Sequence, residues 1–528
     1  MATTPDAPPP VGASPSRPSS LEDRGFLGHP KGLAWMFQVE LWERFSYYGM
    51  KAILLYFIVD TIANGGMGIS ESTGEAIVAT YGAAVYLLAI PGGIAADRLL
   101  GAWRSTLYGG IIIMLGHICL ATPTHATAWV GICLVAFGTG FIKPNLSTMV
   151  GELYDKDDPR RDAGFQIFYM SINIGAFFSP LLVGVIQARW GYHAGFSVAA
   201  FGMGLAIIAF LIGRPALHGV GSQVPNPLTG KDGARLGLGA LAVVVLSAAL
   251  YLLFVWMEKG AVTSAIVDVV ATLSIIAAVG YFATMFRSPK VSDAERTHLL
   301  AYLPLWVGGA LFFMIFEQAS VKMATFAKGH TQLDVGSFHI NPAWYQSINP
   351  FVIVLLAPVI GWFFTRRAGR FPQTPAKFAL AVTGIGLSAI LVGWGFATWP
   401  GGTALAPFWF LALAFALQTV AELFLSPVGL SATTMLAPRA FASQAMALWL
   451  LTSAVGQGVA ALLIKAMAGL SNSVFYYTLG GMTLVTALVL WFLVPWTQRK
   501  MQDIEDMRRQ ASDDARARRA SRAATARH

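Results

Sequence analysis

Charge is scarce in this sequence. Only 12% of its 528 residues are Asp, Glu, Lys or Arg and 55% are hydrophobic, where soluble domains carry about 25% charged residues. That balance excludes an ordinary soluble chain. Cysteine is nearly absent as well: Cys119 and Cys133 both sit in apolar runs, read as small packed hydrophobes, so no disulfide framework or Cys-based zinc site is expected. The 9 histidines are scattered, which leaves a metal site without support. Neither HExxH nor GxSxG occurs, so an intramembrane hydrolase of those kinds lacks its constellation. No cofactor motif is present, and an enzyme is not expected. The first residues, MATTPDAPPPVGASPSRPSS, have no apolar core and read as a disordered cytoplasmic leader (1–32) rather than a signal peptide.

Long apolar runs are what the sequence has instead, with a mean hydropathy of +0.59. A helix needs about 20 mostly apolar residues to cross the hydrocarbon core. Such runs fall at 33–63, 73–96, 105–122, 127–150, 163–188, 194–213, 236–257, 262–286, 299–327, 343–365, 376–398, 406–434, 441–468 and 474–496, about fourteen spans by that rule. The expected class is an all-α integral membrane protein. Its parts are a six-helix bundle (33–214), a linker with an inserted helix pair (215–298), a second six-helix bundle (299–496) and a basic tail (497–528).

Lys and Arg decide the orientation. Arg98, Arg104, Lys156, Arg160, Arg161, Arg214, Lys231, Arg235, Arg287, Lys290, Arg296, Arg366, Arg367, Arg370, Lys377, Arg439, Arg499 and Lys500 fall on one side if the spans alternate, against Arg189, Lys259, Lys328 and Lys465 on the other. Both termini are then expected in the cytoplasm, with the chain multi-pass in the cell (inner) membrane. The net charge of +9 and the basic tail fit anionic lipid head groups, not nucleic acid. Six spans, an extra pair and six more resemble the plan of the major facilitator superfamily. Gly93, Asp97, Arg98, Gly101 and Arg104, in GGIAADRLLGAWR, resemble that superfamily's loop signature, in which the acid and arginines pin helix ends.

A charge at mid-bilayer costs roughly 2.5–3.5 kcal/mol on insertion scales, so each exception is informative. Glu40, Glu43, Arg44, Tyr47, Tyr48 and Lys51 share one stripe of the first span at about 100° per residue. Lys143 lies beside Pro144, Glu317 in LFFMIFEQAS, and Glu422 near Pro427. Buried charges need partners. Lys143 is expected to meet Glu40 or Glu43, and Glu317 a partner from the second half. Glu258 and Lys259 read as solvated, and Asp268 receives no role. Acids and bases on one cavity point to ion-coupled transport, because a buried carboxylate can take up a proton in one state and release it in another.

At these residues the sequence resembles a known family. Glu40-Leu-Trp-Glu43-Arg44-Phe45-Ser-Tyr47-Tyr48-Gly49 is similar to the ExxERFxYYG signature of the proton-dependent oligopeptide transporters, and Phe168 to Gly175 to their FYxxINxG element. Gly138–Leu146 and Glu422–Ser431 resemble two further blocks, and the inserted pair is a feature of bacterial members. The resemblance implies a proton-coupled importer of di- and tripeptides working by alternating access. It assigns proton coupling to Glu40, Glu43, Arg44, Lys143 and Glu317. It assigns substrate binding to Tyr48, Lys51, Tyr86, Lys143, Tyr169, Asn173, Asn349, Glu422, Ser426, Trp449 and Phe313, with Glu422 holding the peptide amino group. No cofactor is implied, and a monomer is expected. Two positions depart from the pattern. Lys51 stands where the family commonly has Arg, and Phe313 where it often has Trp. The alternatives are a same-fold carrier of another small solute, such as nitrate or amino acids, and a peptide receptor without transport.

Overall fold

The computed structural model describes residues 19–155, 158–367 and 371–502. Lys156, Arg370, the first 18 residues and the tail beyond 502 lie outside the described residues. The first bundle is α1 (Lys31–Val59), α2 (Glu71–Ala95), α3 (Ala102–Ala121), α4 (His125–Glu152), α5 (Arg161–Trp190) and α6 (Tyr192–Gly213). The inserted pair is α7 (Gly230–Met257) and α8 (Val262–Arg287). The second bundle has α9 (Asp293–Phe316), the short α10 (Lys322–Gly329), α11 (Ile348–Arg366), α12 (Thr374–Thr398), α13 (Phe408–Leu436), α14 (Ala442–Ala466) and α15 (Asn472–Lys500). Thirteen of the spans qualify as membrane-crossing by length and composition. Helix α1, at 29 residues, is the fourteenth by length; its stripe of charges keeps it out of that set.

Each boundary has a local cause. A capping box, Ser292 with Glu295, opens α9, satisfying backbone donors that the helix itself cannot. Gly101 and Gly191 precede α3 and α6 with φ of 77° and 85°, a region that favours glycine. Helices cannot gain from apolar burial against one another inside lipid, so close contact must hold them. A Cβ on Gly138 would lie 2.6 Å from the Gly109 carbonyl oxygen, and one on Gly131 2.7 Å from that of Gly116. Those two glycine pairs bring α3 and α4 together.

The spans alternate, so the two ends of the described chain share one face, here the terminal face. The junctions carrying Arg98, Arg104, Arg160, Arg161, Arg214, Arg287, Arg439 and Arg499 lie there too.

Three expectations need correction. The run 299–327 is not one helix: α9 ends at Phe316, a 3-10 turn covers Glu317–Ser320, and Val321 leaves helical geometry at φ −118°, ψ −105° before α10. Apolar content cannot reveal such a break. In the loop after α2, Asp97 and Arg98 are exposed and in no salt bridge among the described residues. The backbone holds that loop instead: Asn226 N–H donates to the Asp97 carbonyl at 3.0 Å and Trp103 N–H to that of Gly221 at 2.9 Å. Finally, Glu258 and Asp268 are structural. Lys465 Nζ, from α14, lies 2.9 Å from Glu258 Oε1 and 2.6 Å from Asp268 Oδ2. That clamp binds the inserted pair to the second bundle. Lys259 is exposed. Helix α8 packs on both α14 and α2, while α7 packs on α8 and has no fully buried residue in its apolar stretch.

Candidate functional site

The intramembrane charges come together between the bundles. Glu40, Glu43, Arg44, Lys51, Lys143 and Glu317 are all within electrostatic reach of one another's cluster, and Glu422 is within reach of Glu317. Helical spacing explains the first group. Arg44 Nε lies 3.2 Å from Glu40 Oε1, one turn earlier, and its Nη2 donates to Glu43 Oε1 at 2.8 Å while Nε also meets Glu43 Oε2. All three residues are buried. A guanidinium fork suits two carboxylates where a lysine's point charge would not.

That fork changes the expected partner of Lys143. Both acids are taken by Arg44, and Lys143 is in no salt bridge among the described residues. Its Nζ sits 3.4 Å from the centre of the Tyr86 ring, where the π face stabilises the cation. Glu317 also differs from expectation. Its partner is Lys51 of the first bundle, Nζ to Oε2 at 2.7 Å. The 3-10 turn that ends α9 turns Glu317 towards α1, so the pair crosses the interface between bundles.

On the second bundle, Asn349 Nδ2 donates to Glu422 Oε2 at 2.8 Å and to Thr419 Oγ1 at 3.1 Å. Glu422 is half-buried and has no cation partner among the described residues. The Tyr47 and Tyr48 rings meet edge-on at 5.3 Å. Phe313 packs against Trp449 at 6.2 Å. Trp449 is 5% exposed, pressed against Gly429 and Gly309, so it backs the wall while the half-buried Phe313 forms more of its surface. Asn173 donates to the Tyr169 carbonyl within its own helix at 3.0 Å, and Ser426 is half-buried. Tyr169 is 47% exposed.

Sequence reading missed the ties on the face opposite the termini. Lys322 Nζ lies 2.6 Å from Glu75 Oε2 and 2.6 Å from Asn472 Oδ1, and Thr325 donates to Glu75 Oε1 at 2.7 Å. Tyr56 donates to the Ala324 carbonyl at 3.1 Å, Asn341 to that of Gly184 at 2.8 Å, and Ser347 to that of Phe177 at 2.7 Å. Lys322 could have been suspected, since it is a charge inside an apolar run. Among the described residues, most polar ties between bundles lie from the Lys51–Glu317 level to the opposite face, with Tyr86 and Ser453 meeting nearer the middle. These ties latch the bundles at the opposite face.

The POT family profile matches residues 104–480. The chain belongs to the POT family. A di-/tripeptide transporter of Lactococcus lactis subsp. cremoris is 39% identical over 91% of this chain and 98% of its own length. The crystal structure of a POT peptide transporter in complex with sulfate superposes with a TM-score of 0.84 at 43% identity, covering 91% of this chain and 98% of that one. A POT family transporter in complex with a thioalcohol-conjugated peptide gives 0.85 at 36% identity, covering 90% and 99%. The fold of this POT member is therefore the major facilitator fold, with the paired helices α7 and α8 inserted between its bundles.

Proposed function

We propose that this POT member is a proton-coupled importer of di- and tripeptides that alternates access by rocking its two bundles. The carrying observation is the distribution of charge across the bundle interface. Lys51 stands on the first bundle, and Glu317 and the Asn349–Glu422 pair stand on the second. A peptide has one charge of each sign at a nearly fixed separation, and a bipolar site can clamp both ends. Glu422 would hold the amino group, while Lys51 would take the carboxylate after releasing Glu317. Tyr48, Tyr86, Tyr169, Asn173, Ser426, Phe313 and Trp449 would form roomy walls that admit varied side chains. Lysine at position 51 keeps the charge but loses arginine's planar fork.

Proton coupling follows from competition for cations. While Lys51 is paired, Glu317 stays ionised; a proton on Glu317 frees Lys51 for substrate and loosens the bundles. Glu40, Glu43, Arg44 and Lys143 would form the second titrating cluster, with Lys143 moving between the Tyr86 face and an acid released by Arg44. The latched opposite face marks an inward-facing state if the termini are cytoplasmic, as the arginine-rich junctions favour. In this reading the chain acts as a monomer in the inner membrane. Its functional parts are the bundles 33–214 and 299–496, the linker and pair 215–298, and the basic tail 497–528.

Uptake of labelled dialanine into proteoliposomes, with and without an imposed proton gradient, tests the reading. Accumulation only with the gradient is expected. Binding with no movement would leave a receptor instead. Competition by tripeptides but not by nitrate or free amino acids would separate the peptide reading from another solute.

A further inference from the structure

A cavity of about 470 Å³ lies away from the interface, where α6 ends at the terminal face. Its wall includes Trp103, Leu211, Arg214, His218, Gly219 and Ser222, with no Asp or Glu among the lining residues. The cavity is built rather than left over. His218, Gly219 and Gly221 take φ of 46°, 81° and 69°, turning the chain tightly after Leu217, and Gly221 is bonded on both sides. Its carbonyl accepts from Trp103 N–H, and its own N–H donates to Glu152 Oε2 at 2.9 Å. The Trp103 ring stacks on Phe210 at 5.3 Å.

Two features specify an occupant. The Arg214 guanidinium lies 4.2 Å over the Trp103 ring and is in no salt bridge among the described residues. Stacked in that way, its edge N–H groups remain available to an anion. Trp103 itself is buried, which fixes the ring on which that guanidinium rests. Lastly, Leu211 joins the cavity to an exposed apolar strip of Phe201, Ile208 and Ile212 along the outside of α6. These recur at helical spacing on a membrane-spanning helix, so they face acyl chains.

We propose that this cavity binds the phosphate head group of an anionic phospholipid, with Arg214 as its cation and the α6 strip as the bed for an acyl chain. The site stands apart from the peptide path and does not depend on the direction of transport. Cavity size agrees, since small-ligand sites run roughly 300–1,000 Å³.

The test uses the full-length purified protein. Native mass spectrometry with phosphatidylglycerol and phosphatidylcholine is expected to show preferential retention of the anionic lipid. Arg214→Gln is expected to weaken that retention about tenfold, the usual scale for losing a charged hydrogen bond. Arg235→Gln removes the same charge from exposed α7 and should leave retention unchanged. A photoactivatable phosphatidylglycerol should label residues 211–222 in wild type and lose that label in Arg214→Gln. Equal retention of both lipids, an unaltered Arg214→Gln, or the same loss in Arg235→Gln would overturn the site. Displacement of the lipid by millimolar inorganic phosphate alone would also overturn it, by making the ligand a soluble anion.

Discussion

Helix α1 carries two charge systems of opposite design. Near its middle, Arg44 forks Glu40 and Glu43 on the same helix, and rocking of the bundles leaves that triad intact. Two turns further on, Lys51 finds Glu317 only across the bundle interface, and any parting of the bundles at that level would separate the pair. The comparison teaches where work can be coupled. A pair within one rigid body stabilises that body, whereas a pair between bodies reports and controls their position. Glu75 and Lys322 repeat the second design at the opposite face.

The largest expected effect breaks the crossing pair. Glu317→Gln or Lys51→Met should reduce gradient-driven dialanine uptake by at least about 100-fold, roughly 2.7 kcal/mol of lost coupling, because the first removes the carboxylate that takes the proton and the second the cation that the carboxylate and the peptide share. Uptake assays in proteoliposomes check this. Next comes the triad. Arg44→Ala strands two buried carboxylates and should lower stability by about 3–5 kcal/mol, seen as a fall in the melting temperature in detergent. Arg44→Lys should recover only part, since one point charge cannot fork both acids. If Lys143→Ala and Glu40→Gln both leave gradient-driven uptake intact, the coupling role of this cluster is wrong.

Smaller effects sharpen the same contrast. Lys322→Met should shift the bundles towards opening at the opposite face, raising thiol labelling of a cysteine placed at the buried Ala327, beside the tie but not in it, by about tenfold. No change in labelling would reduce the Glu75 tie to local packing. Asp268→Asn should loosen α8 in hydrogen exchange while leaving peptide affinity unchanged, because the Lys465 clamp holds the inserted pair to one bundle only.

The smallest effect concerns the segment before α1, which grips the α4–α5 junction at the terminal face. Ser20 donates to Asp158 Oδ2 at 2.8 Å, Arg160 Nη1 donates to the Gly28 carbonyl at 2.5 Å, and His29 Nδ1 meets the Tyr154 hydroxyl at 2.9 Å. Burial, then the Arg160 charge, holds His29 below its ordinary 6.5. Hydrogen bonds from Arg160 hold Asp158 well below its ordinary 3.8. Both shifts are downward, so each contribution is complete above the ordinary value and fades as pH falls below it. Protection of residues 19–29 from hydrogen exchange, taken relative to the intrinsic exchange rate at each pH, should therefore be greatest at pH 7.5, begin to fall below 6.5, and fall again below 3.8.

Much of this architecture was legible because a membrane leaves few choices. Runs of spanning length became helices, and charges too costly for lipid became the site. The partners were not legible. Nothing in the spacing of Lys143 indicates that Arg44 has already claimed both acids and that a tyrosine face would serve instead. Nor does LFFMIFEQAS announce the 3-10 turn that directs Glu317 to the other bundle. Asp268 and Glu258 looked idle since their cation, Lys465, lies about two hundred residues away. Type and depth of a charge are local properties; its partner is set by the packing of distant helices.

The central claim is that Lys51–Glu317 links protonation to bundle position. Gradient-driven accumulation of labelled dialanine and gradient-free exchange, compared in wild type and Glu317→Gln, test it most directly. The account predicts that the variant loses accumulation while still exchanging peptide across the bilayer. Accumulation at the wild-type level in Glu317→Gln would contradict it.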